Sequence, residues 1–194
     1  MPRHSIIVVG GGHAGIEAAL VAARMGVDVL LVTGLKDAIA RMPCNPSIGG
    51  LAKSHLVFEL DTLGGEMGLN ADLTSLQEKT LNSSRGPAVR ATRAQCDKSQ
   101  YTLRMQRVVE AQEHLQILED LVTVIRVEGS AESAHVIGVT TENHGFIDAD
   151  TVIISSGTAL RGRIYYGKEE YESAGTGALP PHLYQDRLRT WVLN

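Results

Sequence analysis

The sequence is poor in cysteine and has no long apolar run, and each absence excludes a class of protein. Its 194 residues include two cysteines, Cys44 and Cys96. Because this number builds no disulfide framework, and no charged and then apolar leader stands at the N-terminus, we expect a protein of a reducing compartment. No apolar run reaches the length that spans a bilayer. The sequence therefore predicts a cytoplasmic protein and no membrane association.

The chain also lacks an excess of basic residues. There are 18 Lys and Arg against 22 Asp and Glu, for a net charge of -4. This balance argues against a dedicated nucleic-acid-binding module, which neutralises phosphates with a basic face, although it leaves room for a local basic patch. No spacing of His, Cys, Asp and Glu indicates a metal site. With 43% hydrophobic and 21% charged residues, the chain is predicted to be globular, with a core that needs no crosslinks.

The first 32 residues have the pattern of a strand, a helix and a second strand. Ser5–Val9 is a short β-branched run that ends at three glycines, which is typical of a strand buried on both faces. His13–Met25 repeats apolar residues at helical spacing and stops at Gly26. Val27–Val32 is a second apolar run. Together they predict a βαβ unit with a parallel sheet.

The glycine loop of this unit, GGGHAG, fits the spacing G-x-G-x-x-G at Gly10, Gly12 and Gly15. Between a buried strand and a helix this spacing favours dinucleotide binding, because it allows a tight turn, a close approach of backbone N–H groups to a pyrophosphate, and close packing of helix on strand. The alternative is a tight turn without a ligand. The acidic residue that usually ends the second strand and binds ribose hydroxyls is absent, since the strand runs into Thr33 and Gly34. This departure disfavours plain NAD binding.

The order of the later elements favours FAD. After a long excursion the pattern predicts helices over Ala52–Leu63 and about Asp97–Glu113. Leu115–Val127 and His135–Thr141 are strand-like and suggest a small antiparallel insertion. Thr151–Ser155 is a buried strand that runs into a Gly-Thr turn. Many flavoproteins bring such a later strand back against the first one, near the dinucleotide.

We therefore expect an α/β fold, a Rossmann-like FAD-binding domain with a parallel sheet and flanking helices over residues 1–160. The β insertion would occupy about 115–150. Residues 161–194 are poorly patterned and rich in Gly, Tyr and Pro, and we expect an irregular segment that ends as if in mid-fold.

Three long motifs carry a resemblance to a known family. The chain contains, in this order, GGGHAG (10–15), RMPCNPSIGGLAKSHLVFELDTLGGEMG (41–68) and LNSSRGPAVRATRAQCDKSQY (81–101). With them it resembles the N-terminal part of the MnmG (GidA) family, from about residue 6 to 171. The resemblance implies an FAD-dependent enzyme that, with the GTPase MnmE, adds a carboxymethylaminomethyl-type group to carbon 5 of the wobble uridine of tRNA. It also implies NAD(P)H as reductant and a homodimer in the full-length family.

The resemblance further implies FAD contacts in the glycine loop and at Val122, and a catalytic thiol at Cys44. A thiolate that adds to carbon 6 of uracil leaves enolate character at carbon 5, which then attacks a one-carbon electrophile. Such a thiol must be partly ionised, and a helix N-terminus near Leu51 or the charge of Arg41 or Lys53 would favour this. The loop contacts are Gly10, Gly11, Gly12, His13, Ala14 and Gly15.

Several alternatives stay open at this point. Cys44 is either a reactive thiol or a buried small hydrophobe, whereas Cys96 is interpreted as structural. Arg85, Arg90 and Arg93 either grip a phosphate or a carboxylate, or form a solvated basic loop. Full-length members of the family continue far beyond this chain, so the alternatives to a tRNA-modifying enzyme are a generic FAD-dependent oxidoreductase and a non-catalytic dinucleotide-binding fragment.

Overall fold

The part of the chain that the structure describes contains four α-helices, eleven strands and two single turns of 3-10 helix. The computed structural model describes residues 3–42, 45–130, 133–157, 163–166 and 169–172. In chain order the elements are β1 (His4–Val9), α1 (His13–Arg24), β2 (Val29–Thr33), β3 (Ser47–Gly49), α2 (Lys53–Thr62), α3 (Met67–Thr74), β4 (Ser75–Leu81), β5 (Ala91–Cys96), α4 (Lys98–Ala111), β6 (Leu115–Glu119), β7 (Val122–Glu128), β8 (His135–Thr141), β9 (Gly145–Ile154), β10 (Arg163–Tyr166) and β11 (Glu169–Glu172).

The βαβ unit at the start of the chain forms as predicted. β1 and β2 pair in parallel, with Ile6 opposite Val29, and every residue of β2 is buried. Side chains alternate between two cores. Val8 packs on the helix side of the sheet, and Ile7 packs on the opposite side. Burial on both faces explains why these strands are continuous apolar runs instead of alternating ones.

Six strands form the main sheet, in the order β6-β2-β1-β9-β8-β7. The first four are parallel to one another, and β8 and β7 complete the sheet by antiparallel pairing. The long strand β9 belongs to both parts, because residues 145–148 pair with β8 and residues 149–154 pair with β1. The predicted α/β fold with a parallel sheet and flanking helices is confirmed.

The prediction of one strand over Leu115–Val127 was wrong, because the segment forms two strands with different partners. β6 pairs in parallel with β2, whereas β7 pairs antiparallel with β8. The chain turns between them at Asp120, whose N–H donates to the carbonyl of Thr33 at 3.0 Å and whose carboxylate accepts from the N–H of Leu121 at 2.7 Å. The first of the two strands therefore extends the parallel sheet.

A second, three-stranded antiparallel sheet with the order β3-β5-β4 lies in the excursion between β2 and β6. Helices α2 and α4 confirm the predicted ones, and the Asp97 carboxylate caps α4 by accepting from the N–H groups of Ser99 and Gln100, both at 2.9 Å. Cys96 is the last residue of β5, directly before the N-cap of α4. The sequence pattern predicted neither α3 nor β5, which begins at Ala91.

Helix α1 is tied to α3 and α4 by buried charges. The carboxylate of Glu17 accepts from the N–H of Met67 at 2.6 Å, so α1 supplies the N-terminal cap that α3 lacks. The buried carboxylate of Glu66 accepts from Arg24 at 2.5 Å and from Arg104 at 2.7 Å. Because ionised groups are costly to bury alone, this paired arrangement holds the three helices in one position.

The C-terminal strands β10 and β11 pair antiparallel, within the segment that was expected to be irregular. No helix in the described ranges is both long and apolar enough to cross a membrane.

Candidate cofactor site

The glycine loop follows β1 at the carboxyl edge of the sheet, and two of its glycines allow contacts that no other residue permits. Gly10 has a φ of +113°, and a Cβ there would stand 2.5 Å from the carbonyl oxygen of Ser155. At Gly15 a Cβ would stand 2.0 Å from the carbonyl oxygen of Gly10 and 2.4 Å from Oγ of Ser155. The loop, α1 and the end of β9 are therefore in direct contact.

Gly12 differs from these two glycines because it faces open space. It has a φ of -76°, which any residue adopts, and nothing lies within 4 Å of where its Cβ would be. It is the N-cap of α1, where no side chain caps the helix and no acidic residue stands in the first turn. An uncapped helix start presents N–H donors and the positive end of the helix dipole. This arrangement suits a phosphate group.

Ser155 fastens the returning strand to the glycine loop. Its hydroxyl donates to the carbonyl oxygens of Val9 at 2.9 Å and Gly10 at 3.2 Å, and its N–H donates to Val9 at 2.9 Å. The sequence placed this strand beside the first one but did not single out the serine. The signal was the hydroxyl residue that directly follows the apolar run TVII.

The end of β2 carries no carboxylate, as the sequence indicated. Thr33 stands there instead, and a Cβ on Gly11 would be 2.8 Å from its Oγ1. The adjacent strand β6 brings Glu119 into register with Thr33. The Oε2 atom of Glu119 accepts from the N–H of Lys36 at 2.7 Å, in the segment that follows β2.

Val122 begins β7, three residues after the end of β6. Its side chain is buried in the core on the side of the sheet opposite α1. Since β6 is parallel to β2 and β1, Val122 lies near the same edge of the sheet as the glycine loop. Because the side chain of Val122 is buried in that core, any contact of Val122 with a ligand would involve its backbone.

His13, the first residue of α1, carries a buried polar atom without a partner. Its Nε2 atom makes no hydrogen bond with any described residue, and its ring lies 5.6 Å from that of Tyr101. Burial, assisted by the positive charge of Lys53, lowers the pKa of His13 from 6.5 to about 4. The imidazole is therefore neutral at pH 7. A buried polar atom without a partner beside the glycine loop leaves a hydrogen bond for a ligand or a water molecule to make.

A cavity of about 540 Å³ opens beside His13, between α1 and α2. The polar residues His13, Glu17 and Lys53 contribute to its lining. The rest of the lining is mainly apolar and comes from Val21 of α1, from Leu56 and Leu60 of α2, and from their neighbours. The cavity thus continues from the first turn of α1 along the helix.

The predicted catalytic residue Cys44 lies outside the described residues. Cys96 is a free, buried thiol, and it donates weakly to the carbonyl of Ala71 at 3.8 Å. Burial raises the pKa of Cys96, so that its thiol is poorly ionised, in agreement with the structural role expected for it. Lys53, proposed as a source of charge, donates to the carbonyl of Ser47 at 3.4 Å, and burial lowers its pKa.

The three arginines of the basic motif lie on the exposed hairpin that joins β4 to β5. Arg85 and Arg90 flank the tip, where Nε of Arg90 donates to the carbonyl of Arg85 at 3.1 Å, and Arg93 lies on β5. All three are exposed. Within the described ranges, no group of three or more His, Cys, Asp or Glu is placed to hold a metal ion.

Comparison with known sequences gives matches along nearly the whole chain. The family model described as "Glucose inhibited division protein A" matches residues 5–192. The tRNA uridine 5-carboxymethylaminomethyl modification enzyme MnmG of Geobacter sulfurreducens is 51% identical over 187 residues, which is 96% of this chain and 29% of that protein. The chain thus spans less than a third of the length of the relatives it matches.

Comparison with solved structures gives the same family as the sequence matches. The form I crystal structure of Aquifex aeolicus GidA superposes with a TM-score of 0.82 at 43% identity, over 90% of this chain and 29% of that one. PqsL of Pseudomonas aeruginosa, a probable FAD-dependent monooxygenase, superposes with a TM-score of 0.56 at 12% identity, over 85% of this chain and 48% of that one. The second likeness concerns the fold alone.

Proposed function

Because the chain belongs to the glucose inhibited division protein A (GidA, MnmG) family, we propose that it is the FAD-binding part of an enzyme that modifies the wobble uridine of tRNA in the cytoplasm. The group added to carbon 5 is of the carboxymethylaminomethyl type. The partners of the complete enzyme in this proposal are tRNA, a GTPase of the MnmE type, NAD(P)H as reductant and a second copy of the enzyme.

The observation that carries the proposal is the open N-terminus of α1. Gly10 and Gly15 hold the loop against Ser155 at distances that exclude side chains, whereas the position of a Cβ on Gly12 is empty to 4 Å. A loop that served only as a tight turn would need glycine at positions 10 and 15 but not at position 12. The empty space beside Gly12 is what a pyrophosphate requires to reach the backbone N–H groups of the first turn.

In this proposal, the first turn of α1 and Val122 have roles that their geometry supports. The N–H groups of the first turn, from Gly12 to Gly15, bind the pyrophosphate, and the dipole of α1 stabilises its charge. His13, which burial keeps neutral, packs against the cofactor and offers its unpartnered Nε2 as a hydrogen-bonding atom. The backbone of Val122 meets the adenosine end. Bound FAD would supply hydride transfer.

The proposed role of Cys44 concerns the uridine. Its thiolate adds to carbon 6 of uracil, which breaks the conjugation of the ring and leaves an enolate that is nucleophilic at carbon 5. After carbon 5 has attacked the one-carbon electrophile and has lost its proton, the thiolate leaves again and the ring double bond is restored. Thiols suit this role because they are strongly nucleophilic and also good leaving groups.

Flavin binding is tested on the purified chain. We expect FAD added to the apoprotein to lose fluorescence and to show a shifted visible spectrum, with saturation at one FAD per chain. Riboflavin lacks the pyrophosphate and adenosine, so it should bind at least about tenfold more weakly, given the worth of charge-assisted hydrogen bonds. A chain that leaves the spectrum of FAD unchanged would refute the proposal.

The modification step needs a hybrid enzyme, in which this chain replaces the matching N-terminal residues of the Geobacter sulfurreducens relative. The hybrid should restore the modified wobble uridine in a bacterial strain that lacks its own enzyme, as measured by mass spectrometry of digested tRNA. Cys44→Ser should abolish the modification while FAD stays bound. Cys96→Ser is the matched control and should retain it. Modified uridine from the Cys44 variant would exclude the nucleophilic role.

A further inference from the structure

The absence of an acid at the end of β2 leaves a question about the ribose of a bound dinucleotide. In the usual arrangement a carboxylate at this point accepts hydrogen bonds from the ribose hydroxyls. Here the strand ends in Thr33, whose hydroxyl donates to the carbonyl of Leu35 at 3.3 Å. Nothing at the end of this strand replaces the missing charge.

The neighbouring strand places a carboxylate at the equivalent position. β6 runs parallel to β2, and Glu119 is the register partner of Thr33, so the two strand ends lie side by side, about 4.8 Å apart. Leu115 and Ile117 of β6 pack on the helix side of the sheet. Because side chains alternate along a strand, Glu119 projects to that same side, where α1 and the glycine loop begin.

The carboxylate of Glu119 is both exposed and held in place. One of its oxygens, Oε2, accepts from the N–H of Lys36 at 2.7 Å, which orients the group over the segment that follows β2. The side chain is otherwise open to solvent, which leaves lone pairs free for further donors. A carboxylate accepts several hydrogen bonds at once, and two adjacent hydroxyl groups are suitable donors.

We propose that Glu119, on the strand next to the usual one, binds the ribose hydroxyls of the adenosine half of the cofactor. The proposal rests on the proposed FAD binding. From the glycine loop at the end of β1, the edge of the sheet passes the end of β2 and then the end of β6, a span of about two strand spacings or 10 Å. Val122 follows Glu119 by three residues, and the adenine would lie beside Val122.

One other carboxylate competes for this role. Asp37 lies four residues beyond the end of β2, in a single turn of 3-10 helix. Its carbonyl accepts from Nε2 of Gln106 in α4 at 3.1 Å. Asp37 has no register partner that fixes its distance from the glycine loop, whereas the pairing of β6 with β2 fixes that of Glu119. The experiment below separates the two residues.

The test deletes the carboxylate and the hydroxyls in turn. FAD affinity is measured by fluorescence, and ADP and 2′,3′-dideoxy-ADP then compete for the site. In the wild-type chain ADP should compete about tenfold better than its dideoxy analogue. Glu119→Gln, which keeps an acceptor for the N–H of Lys36, should bind FAD more weakly and treat both competitors alike. Asp37→Asn and the exposed Glu113→Gln should keep the wild-type preference.

Each other outcome overturns the proposal in a recognisable way. If Glu119→Gln keeps the wild-type preference for ADP, Glu119 does not bind the ribose, and a loss in Asp37→Asn would assign the contact to Asp37. A wild-type chain that does not distinguish the competitors has no ribose contact of this kind. If the wild-type chain fails to bind FAD at all, the proposed function fails, and this proposal fails with it. Thermal unfolding of each variant checks that the fold is intact.

Discussion

Two glycines of the same loop should respond in opposite ways to the addition of one methyl group. Gly15→Ala places a Cβ 2.0 Å from the carbonyl oxygen of Gly10 and 2.4 Å from Oγ of Ser155, whereas Gly12→Ala places one where nothing lies within 4 Å. The first change should damage the fold, and the second should damage the binding of FAD. The pair therefore separates packing from ligand contact within four residues.

The structure sets the size of both effects. Ordinary contacts of a Cβ begin near 3.4 Å, so Gly15→Ala must displace backbone by more than 1 Å. Overpacking costs about 1–3 kcal/mol, and loss of the hydrogen bond from Ser155 to Gly10 adds about 1 kcal/mol. A total of about 3 kcal/mol lowers the midpoint of thermal unfolding by about 10 °C in a chain of this size.

For Gly12→Ala we expect a change in stability of less than about 1 kcal/mol. Alanine restricts the unfolded chain, which stabilises the protein by about 0.4–1 kcal/mol, but it is a poorer N-cap than glycine. The affinity for FAD should nevertheless fall by at least about tenfold, because the methyl group occupies the space through which a phosphate oxygen would reach the first-turn N–H groups.

Urea and thermal unfolding followed by circular dichroism measure the first effect, and quenching of FAD fluorescence measures the second. Gly86→Ala is the control, since Gly86 has an ordinary φ of -63° and nothing within 4 Å of its Cβ position. It should change neither quantity. The reasoning would be refuted by a Gly12→Ala variant with wild-type affinity for FAD, or by a Gly15→Ala variant with wild-type stability.

Three further changes test the surroundings of the loop. The pKa of His13 in the folded chain is about 4, below its ordinary value of 6.5, so the unfolded state takes up a proton first as the pH falls. The free energy of unfolding should therefore fall by about 3 kcal/mol between pH 6.5 and 4. Urea unfolding of His13→Gln should not show this loss. Glu66→Gln weakens the hydrogen bonds from two arginines and should lower the free energy of unfolding by about 2 kcal/mol. The exposed control Glu110→Gln should leave this free energy unchanged. Equal stabilities of the two variants would contradict a stabilising role for the network around Glu66. Iodoacetamide at neutral pH should modify Cys44 and spare Cys96, whose pKa is raised by burial; peptide mass spectrometry that finds Cys96 labelled in the native protein would contradict this.

The parts of the fold that follow from local pattern were predictable, and those that depend on distant partners were not. β1 and α1 combine apolar periodicity with glycine stops, and both appear where the pattern put them. β5 lies in a polar, arginine-rich stretch and is a strand because β3 and β4 pair with its two edges. α3 contains Gly, Asn, Asp and Thr, which are weak helix formers, and the carboxylate of Glu17 from α1 caps it.

The candidate site likewise has parts that the sequence predicted and parts that it did not. The spacing of Gly10, Gly12 and Gly15 could be recognised from the sequence alone, and close contacts explain the glycines at positions 10 and 15. The contacts of Ser155 with the glycine loop and the position of Glu119 beside Thr33 were not predicted, because they depend on the register of neighbouring strands. The order of elements predicted that β9 returns beside β1, but no pattern in the single sequence stated the register of that pair or that β6 lies beside β2.

The strand order also explains why residues so far apart in sequence meet at one edge. β6, β2, β1 and β9 are parallel, so the segments that follow them all leave from the same side of the sheet. Gly10, Ser155 and Glu119 each stand at such a strand end or directly after it. The four strands are held by backbone pairing and by cores on both faces, which fixes the positions of these strand ends. An antiparallel neighbour would have sent one of these segments to the opposite edge, and in this sheet antiparallel pairing occurs only beyond β9.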